Sequence, residues 1–219
     1  MIRYWCAITK GSGVTSRIEN AYRAIEVVAG PKFLEPLSDV QRVNELRQHF
    51  KPAKVKLLIV GESHIRRPLG PGFIYDSSYY TPWWRDLLWP AFGGSELSRA
   101  DSLKHLQDRG VWILDASIIA LSGYRNIAPE WPSRPLDAHL KNILAASWDN
   151  FVGREFQAST PEHVVYFERA ADMLPEGTRK NGTALRFNGP RHSKALRYTA
   201  PEYRFGTARF IQAVRAAGL

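Results

Sequence analysis

Lys54-Val55-Lys56-Leu57-Leu58-Ile59-Val60-Gly61-Glu62-Ser63-His64 decides the fold. Leu57 to Val60 is apolar at every position, and a run this short reads as a strand covered on both faces. Gly61 ends it where the backbone needs freedom. Glu62, Ser63 and His64 follow at once, three side chains suited to acid–base or hydrogen-bond work. Ligands of open α/β sheets sit at the carboxyl ends of strands, so the first candidate site belongs here. The stretch alone does not separate that reading from an ordinary polar loop.

Working outward, the same pattern recurs. Val111-Trp112-Ile113-Leu114 is a second apolar strand and ends in Asp115, with Ser117 beyond it. Val164 to Phe167 is a third, ending at Glu168, and Ala184 to Phe187 a fourth, which runs into Asn188-Gly189-Pro190-Arg191-His192-Ser193. Helical periodicity separates the strands. Thr15 to Val28 places Ile18, Tyr22, Ile25 and Val28 or Ala29 on one face. A second helix opens at Pro36-Leu37-Ser38, with Ser38 as N-cap and Val40, Val43, Leu46 and Phe50 as its stripe. Ser98 to Asp108 turns Ala100, Leu103 and Leu106 inward. Leu136 to Phe151 forms a further helix that reaches toward Phe156, and Pro201 to Ala217 a terminal one. Strands alternating with helices give an α/β class with a mainly parallel sheet.

The chain has 219 residues, of which 44% are hydrophobic, which suits a single folded domain with a substantial core. Residues 1–50 form its N-terminal helical part and 51–219 its core. No apolar run is long enough to span a membrane, and Met1 to Cys6 lacks the apolar centre of a signal peptide. Cys6 is the single cysteine, so no internal disulfide and no cysteine–histidine zinc pattern is expected; a reducing cytoplasm is the simplest compartment. No metal or cofactor is called for.

Thirty lysines and arginines against 21 acids give a net charge of +9. Between Arg179 and Arg209 every charged residue except Glu202 is basic. Such a cluster points to a polyanion, most often nucleic acid, and a solvated basic face has the same composition. The segment from Ile65 to Phe92 is proline- and glycine-rich and carries Phe73, Tyr75, Tyr79, Tyr80, Trp83, Trp84, Trp89 and Phe92. Its aromatic density reads either as a stacking pocket for a flat ligand or as a loop that packs its own rings.

Three strand-end motifs thus follow in order: Gly61-Glu62-Ser63-His64, then Gly110-Val111-Trp112-Ile113-Leu114-Asp115, then Asn188-Gly189-Pro190-Arg191-His192-Ser193. Their order resembles the uracil-DNA glycosylase-like superfamily, over about Lys54 to Ser193. That resemblance implies a three-layer α/β/α sandwich around a short, mainly parallel four-stranded sheet. It gives the turn Gly61 to His64 the water-positioning role and makes Phe73 or Tyr75 the base-stacking aromatic. Asp115 falls where the family has its base-reading asparagine. Arg191, His192 and Ser193, with Lys194 and Arg197 after them, would form the loop that contacts DNA.

The departures from the family pattern shape the expected chemistry. The family's water-activating aspartate falls at Ser63, a poor general base alone, which leaves Glu62 or Asp76 to orient water or stabilise the sugar cation. His64 or His192 would donate to the departing base. No proline follows the first motif, where His64 and Ile65 stand, and the third lacks a His-Pro-Ser order. An ionised Asp115 only accepts hydrogen bonds, so it disfavours a uracil carbonyl and favours an exocyclic amino group, as on cytosine. The expected activity is that of a monofunctional DNA glycosylase acting as a monomer on a cytosine-like base, including the hypermodified cytosines of phage DNA. A catalytically inactive nucleic-acid-binding protein on the same scaffold is the competing expectation. A small-molecule hydrolase fits less well, since no Gly-x-Ser-x-Gly elbow is present.

Overall fold

Leu57, Leu58, Ile59 and Val60 are wholly inaccessible to solvent, because they form the middle strand of a parallel sheet. The computed structural model describes residues 12–67, 71–76, 98–123, 137–166, 214–215 and 217–219. Strand β1 (Leu57–Gly61) lies between β3 (Val111–Asp115) and β5 (His163–Tyr166), both parallel to it. The register sets Leu57 beside Val111 and Gly61 beside Asp115, so two polar strand ends meet at one edge. The ladder continues past the strands: Ala116 N–H donates to the Gly61 carbonyl and Ser117 N–H to that of Glu62. A second, smaller parallel pair follows, β2 (Ile65–Arg66) against β4 (Ser122–Gly123). Ile65 also forms an antiparallel bridge to Gly72. The sequence places no strand between Ile65 and Phe92; this pairing is made across the fold, with Ser122 and Gly123, and has no local signature.

Parallel strands need crossovers, and helices supply them. Helix α1 (Ser12–Ala29) buries Ile18, Ala21, Tyr22, Ile25 and Ala29, the expected face, and packs on α4 (Asp137–Ser147). Helix α2 (Leu37–His49) starts two residues earlier than the expected cap at Ser38 implies. Pro36 is its N-cap and Ser38 lies inside the first turn, so Ser38 makes no cap. Helix α3 (Arg99–Asp108) falls within the expected span, and Ser98 caps it: its hydroxyl accepts from Asp101 N–H. Leu103 and Leu106 are buried, but Ala100 is exposed, a correction to the expected stripe; Ser102 takes the inward position. A methyl group gains too little by burial to fix a helix face against leucine.

The long helix expected from Leu136 is interrupted. After α4 the backbone opens into a π turn (Trp148–Val152) and resumes as α5 (Gly153–Ser159). Strand β5 runs from His163 to Tyr166, one residue earlier than the expected third strand, and Phe167 and Glu168 lie outside the described residues. So do Ile2 to Ile8, Tyr124 to Pro135, the fourth strand expected at Ala184 to Phe187 and most of the terminal helix. The three-stranded sheet and its helices establish a mixed α/β fold. No described helix is long and apolar enough to cross a membrane.

Candidate functional site

The site begins with a missing side chain. A Cβ at Gly61 would stand 2.7 Å from Asp115 Oδ1 and would have to displace it, so glycine lets the carboxylate lie against β1. From the other side α2 delivers Arg47, 1% exposed, whose Nη2 stands 3.5 Å from Asp115 Oδ2. The guanidinium carbon lies over the ring of Phe73, 5.3 Å from its centroid. Phe73 in turn meets Tyr75 and His64 edge-on, with centroids 5.3 and 6.2 Å away. Apolar strand ends, a helix and one aromatic segment therefore wrap a buried ion pair.

Burial raises the pKa of Asp115 and lowers that of Arg47, and each charge opposes the shift of the other. The pair is therefore held as a pair: neither ion has water to replace its partner. It is also incompletely bonded. Arg47 Nε and Nη2 and Asp115 Oδ2 have no hydrogen-bond partner among the described residues. Buried polar groups are nearly always satisfied, so these atoms at the ends of parallel strands call for an ordered water or a polar ligand.

His64 belongs to a second buried pair, close by. Its Nε2–H donates to Glu35 Oε1 over 2.7 Å, and the same oxygen accepts from Ala120 N–H at 2.8 Å. A carboxylate only accepts, which fixes that tautomer and leaves Nδ1, without a partner among the described residues, on the other side of the ring. Glu35 is itself held in place. Tyr22 of α1 donates to its carbonyl, and Arg66 of β2 donates to the carbonyl of Leu34.

Of the residues that the sequence singles out, His64, Phe73, Tyr75 and Asp115 come together in this cluster. Ser63 is half-buried and its hydroxyl accepts from Leu121 N–H, so it serves the junction of the two small strands. Glu62 is half-buried at the same turn. Asp76 pairs with Arg42 of α2 at 3.5 Å. Arg191, His192, Ser193, Lys194 and Arg197 lie outside the described residues.

The two rings differ from the open stacking surface expected of them. Phe73 and Tyr75 are both 2% exposed. Tyr75 stacks on Phe50 within 8° of parallel, and its hydroxyl accepts from Ile113 N–H of β3. Burial raises its pKa well above the ordinary phenol value. Tyr75 is thus built into the core, and a base would reach Phe73 only as its cover moves aside.

No family model, curated protein or solved structure matches the chain. The geometry of the site therefore carries the functional reading. Two of its residues escape a reading of the sequence, Arg47 and Glu35. Arg47 had a signal: it falls seven residues after Val40 and four after Val43, on the buried face of α2, where a charge is out of place. Glu35, between Leu34 and Pro36, has none; its role comes from a contact with His64, twenty-nine positions away.

Proposed function

We propose that this chain is a DNA glycosylase of the uracil-DNA glycosylase-like kind, releasing a cytosine-like base that has been turned out of the strand. The observation that carries the proposal is the buried Arg47–Asp115 pair against Phe73, with its unbonded polar edge at the joined ends of β1 and β3. A base is flat, apolar on its faces and polar on its edge, and Phe73 with the unbonded side of the ion pair supplies a matching ring and edge once the cover over Phe73 moves aside. The net charge of +9 and the basic stretch after Arg179 supply attraction to a phosphate backbone. In this reading Ala184 to Phe187 completes a four-stranded sheet in a three-layer sandwich, and the protein acts as a monomer. The single Cys6 suits a cytoplasmic setting.

In the proposed reaction the N-glycosidic bond breaks, its electron pair leaves with the base, and water adds to the sugar carbon. Glu62 or Asp76 takes the proton of that water and stabilises the sugar cation. His192 donates to the departing base, or His64 does so through Nδ1 once its ring carries a second proton, with Nε2–H still held by Glu35. Glu35 is a positioning residue here, since it acts through the imidazole. A screen of single- and double-stranded DNA carrying cytosine, 5-substituted cytosines and uracil, scored by cleavage at abasic sites, tests this. We expect release of a cytosine-type base, and a loss of about 100-fold or more in both Glu62→Gln and Asp115→Ala with DNA binding retained. Full turnover in both variants overturns the site. Binding without catalysis is the second reading, favoured by the buried state of both rings, and DNA bound without abasic sites on any substrate decides for it.

A further inference from the structure

The unbonded atoms of the ion pair have an order, and the order is informative. Nε and Nη2 lie on one side of a guanidinium and point their N–H groups in parallel, the fork that arginine uses on adjacent acceptors. Both are the orphaned donors of Arg47, and Nη2 is the one beside Asp115 Oδ2, the orphaned acceptor. Taken along the edge, the couple presents acceptor, donor, donor. We infer that Arg47 and Asp115 together read the Watson–Crick edge of a cytosine-type base, with Arg47 as a specificity-determining residue. The inference rests on the proposal that this pocket holds a base.

The chemistry follows from the edges of the bases. Cytosine shows an amino donor, then the N3 and O2 acceptors, which complement acceptor, donor, donor at all three positions. Uracil shows acceptor, donor, acceptor: its O4 faces the carboxylate and its N3–H faces Nη2, so two of three contacts repel. Guanine repeats the order of the couple itself and opposes it throughout. Asp115 alone sets only the first contact. The fork of Arg47 adds the other two and leaves the 5-position of the ring untouched, so substituents there do not disturb recognition. Asp115 lies against Gly61 on one side and Arg47 on the other. Phe73 covers the guanidinium of Arg47, and the helix backbone that carries it is tied to β3 by Trp112 Nε1–H, which donates to the Arg47 carbonyl at 3.0 Å.

Calorimetric titration of the full chain with free bases tests the inference apart from catalysis. The probes are cytosine, 5-hydroxymethylcytosine, N4,N4-dimethylcytosine and uracil. We expect cytosine and 5-hydroxymethylcytosine to bind alike, and about tenfold or more tighter than the other two, as an edge contact of this kind discriminates. Arg47→Met, with its fold checked by circular dichroism, should abolish that preference. Equal binding of cytosine and uracil, tighter binding of uracil, or no binding of any of the four overturns it; the wild-type panel decides even where the variant fails to fold. Release of uracil in preference to cytosine from DNA would sink the edge assignment and leave the glycosylase reading standing. A cytosine preference without base release from any DNA would do the reverse.

Discussion

Asp115 shows how little a residue's identity says without its neighbours. Alone at a strand end it is an acceptor; against Gly61 and under Arg47 it is half of a buried, partly bonded ion pair. Its raised pKa means that its share of stability is fully present below the ordinary carboxylate value and is lost as pH rises through the folded one. The charge of Arg47 opposes that rise. Removing it in Arg47→Met drives the Asp115 pKa up further, so the deficit against wild type should grow with pH. Urea denaturation should show a small deficit near about pH 5 and a larger one near about pH 8, reaching about 3–5 kcal/mol. Adding Asp115→Leu should recover most of that loss, since two apolar groups leave no unpaired charge. A deficit that shrinks with rising pH would contradict the assigned pair.

At the scale of elements, the break between α4 and α5 closes on a glycine. Trp148 opens the π turn, and its indole and carbonyl crowd Gly153: a Cβ there would stand 2.8 Å from Nε1 and 2.9 Å from the Trp148 oxygen. The second contact is backbone and yields little. Gly153→Ala should therefore destabilise the protein by about 1–3 kcal/mol in thermal or urea unfolding, although alanine is by about 1 kcal/mol the better helix former. A stabilised variant would mean that the helix runs straight through. Periodicity marks the apolar positions of this segment but cannot show the π turn, because the wider turn shifts the buried face by a single residue. The opposite holds for β1 and β3. Their burial is so complete that four consecutive apolar residues, ended by glycine or aspartate, identify each of them. Helix α1 was equally legible, with a stripe of 3.6-residue period.

For the whole molecule, charge and fold make separate statements. The net charge of +9 acts through solvent and needs no particular contact. If DNA is the partner, affinity for a short oligonucleotide should fall about tenfold or more between about 50 and about 200 mM salt, as measured by fluorescence anisotropy. Affinity that is flat across that range would remove the polyanion from the account. The edge preference of the pocket should survive the added salt, because a buried pair is screened far less than exposed charges.

The sequence by itself determined the α/β class, the buried strands and the polar residues at their ends. These depend on local patterns: an apolar run, a helical stripe, a glycine before a turn. It also delivered His64, Phe73, Tyr75 and Asp115 as residues of interest. Tertiary structure alone decided what they touch. It placed Phe73 and Tyr75 inside the core, set Glu35 on His64 and brought Arg47 to Asp115 across 68 positions. The physical reason is the parallel register. It aligns Gly61 with Asp115, and the space that glycine leaves admits a carboxylate that only a helix from elsewhere in the chain can neutralise.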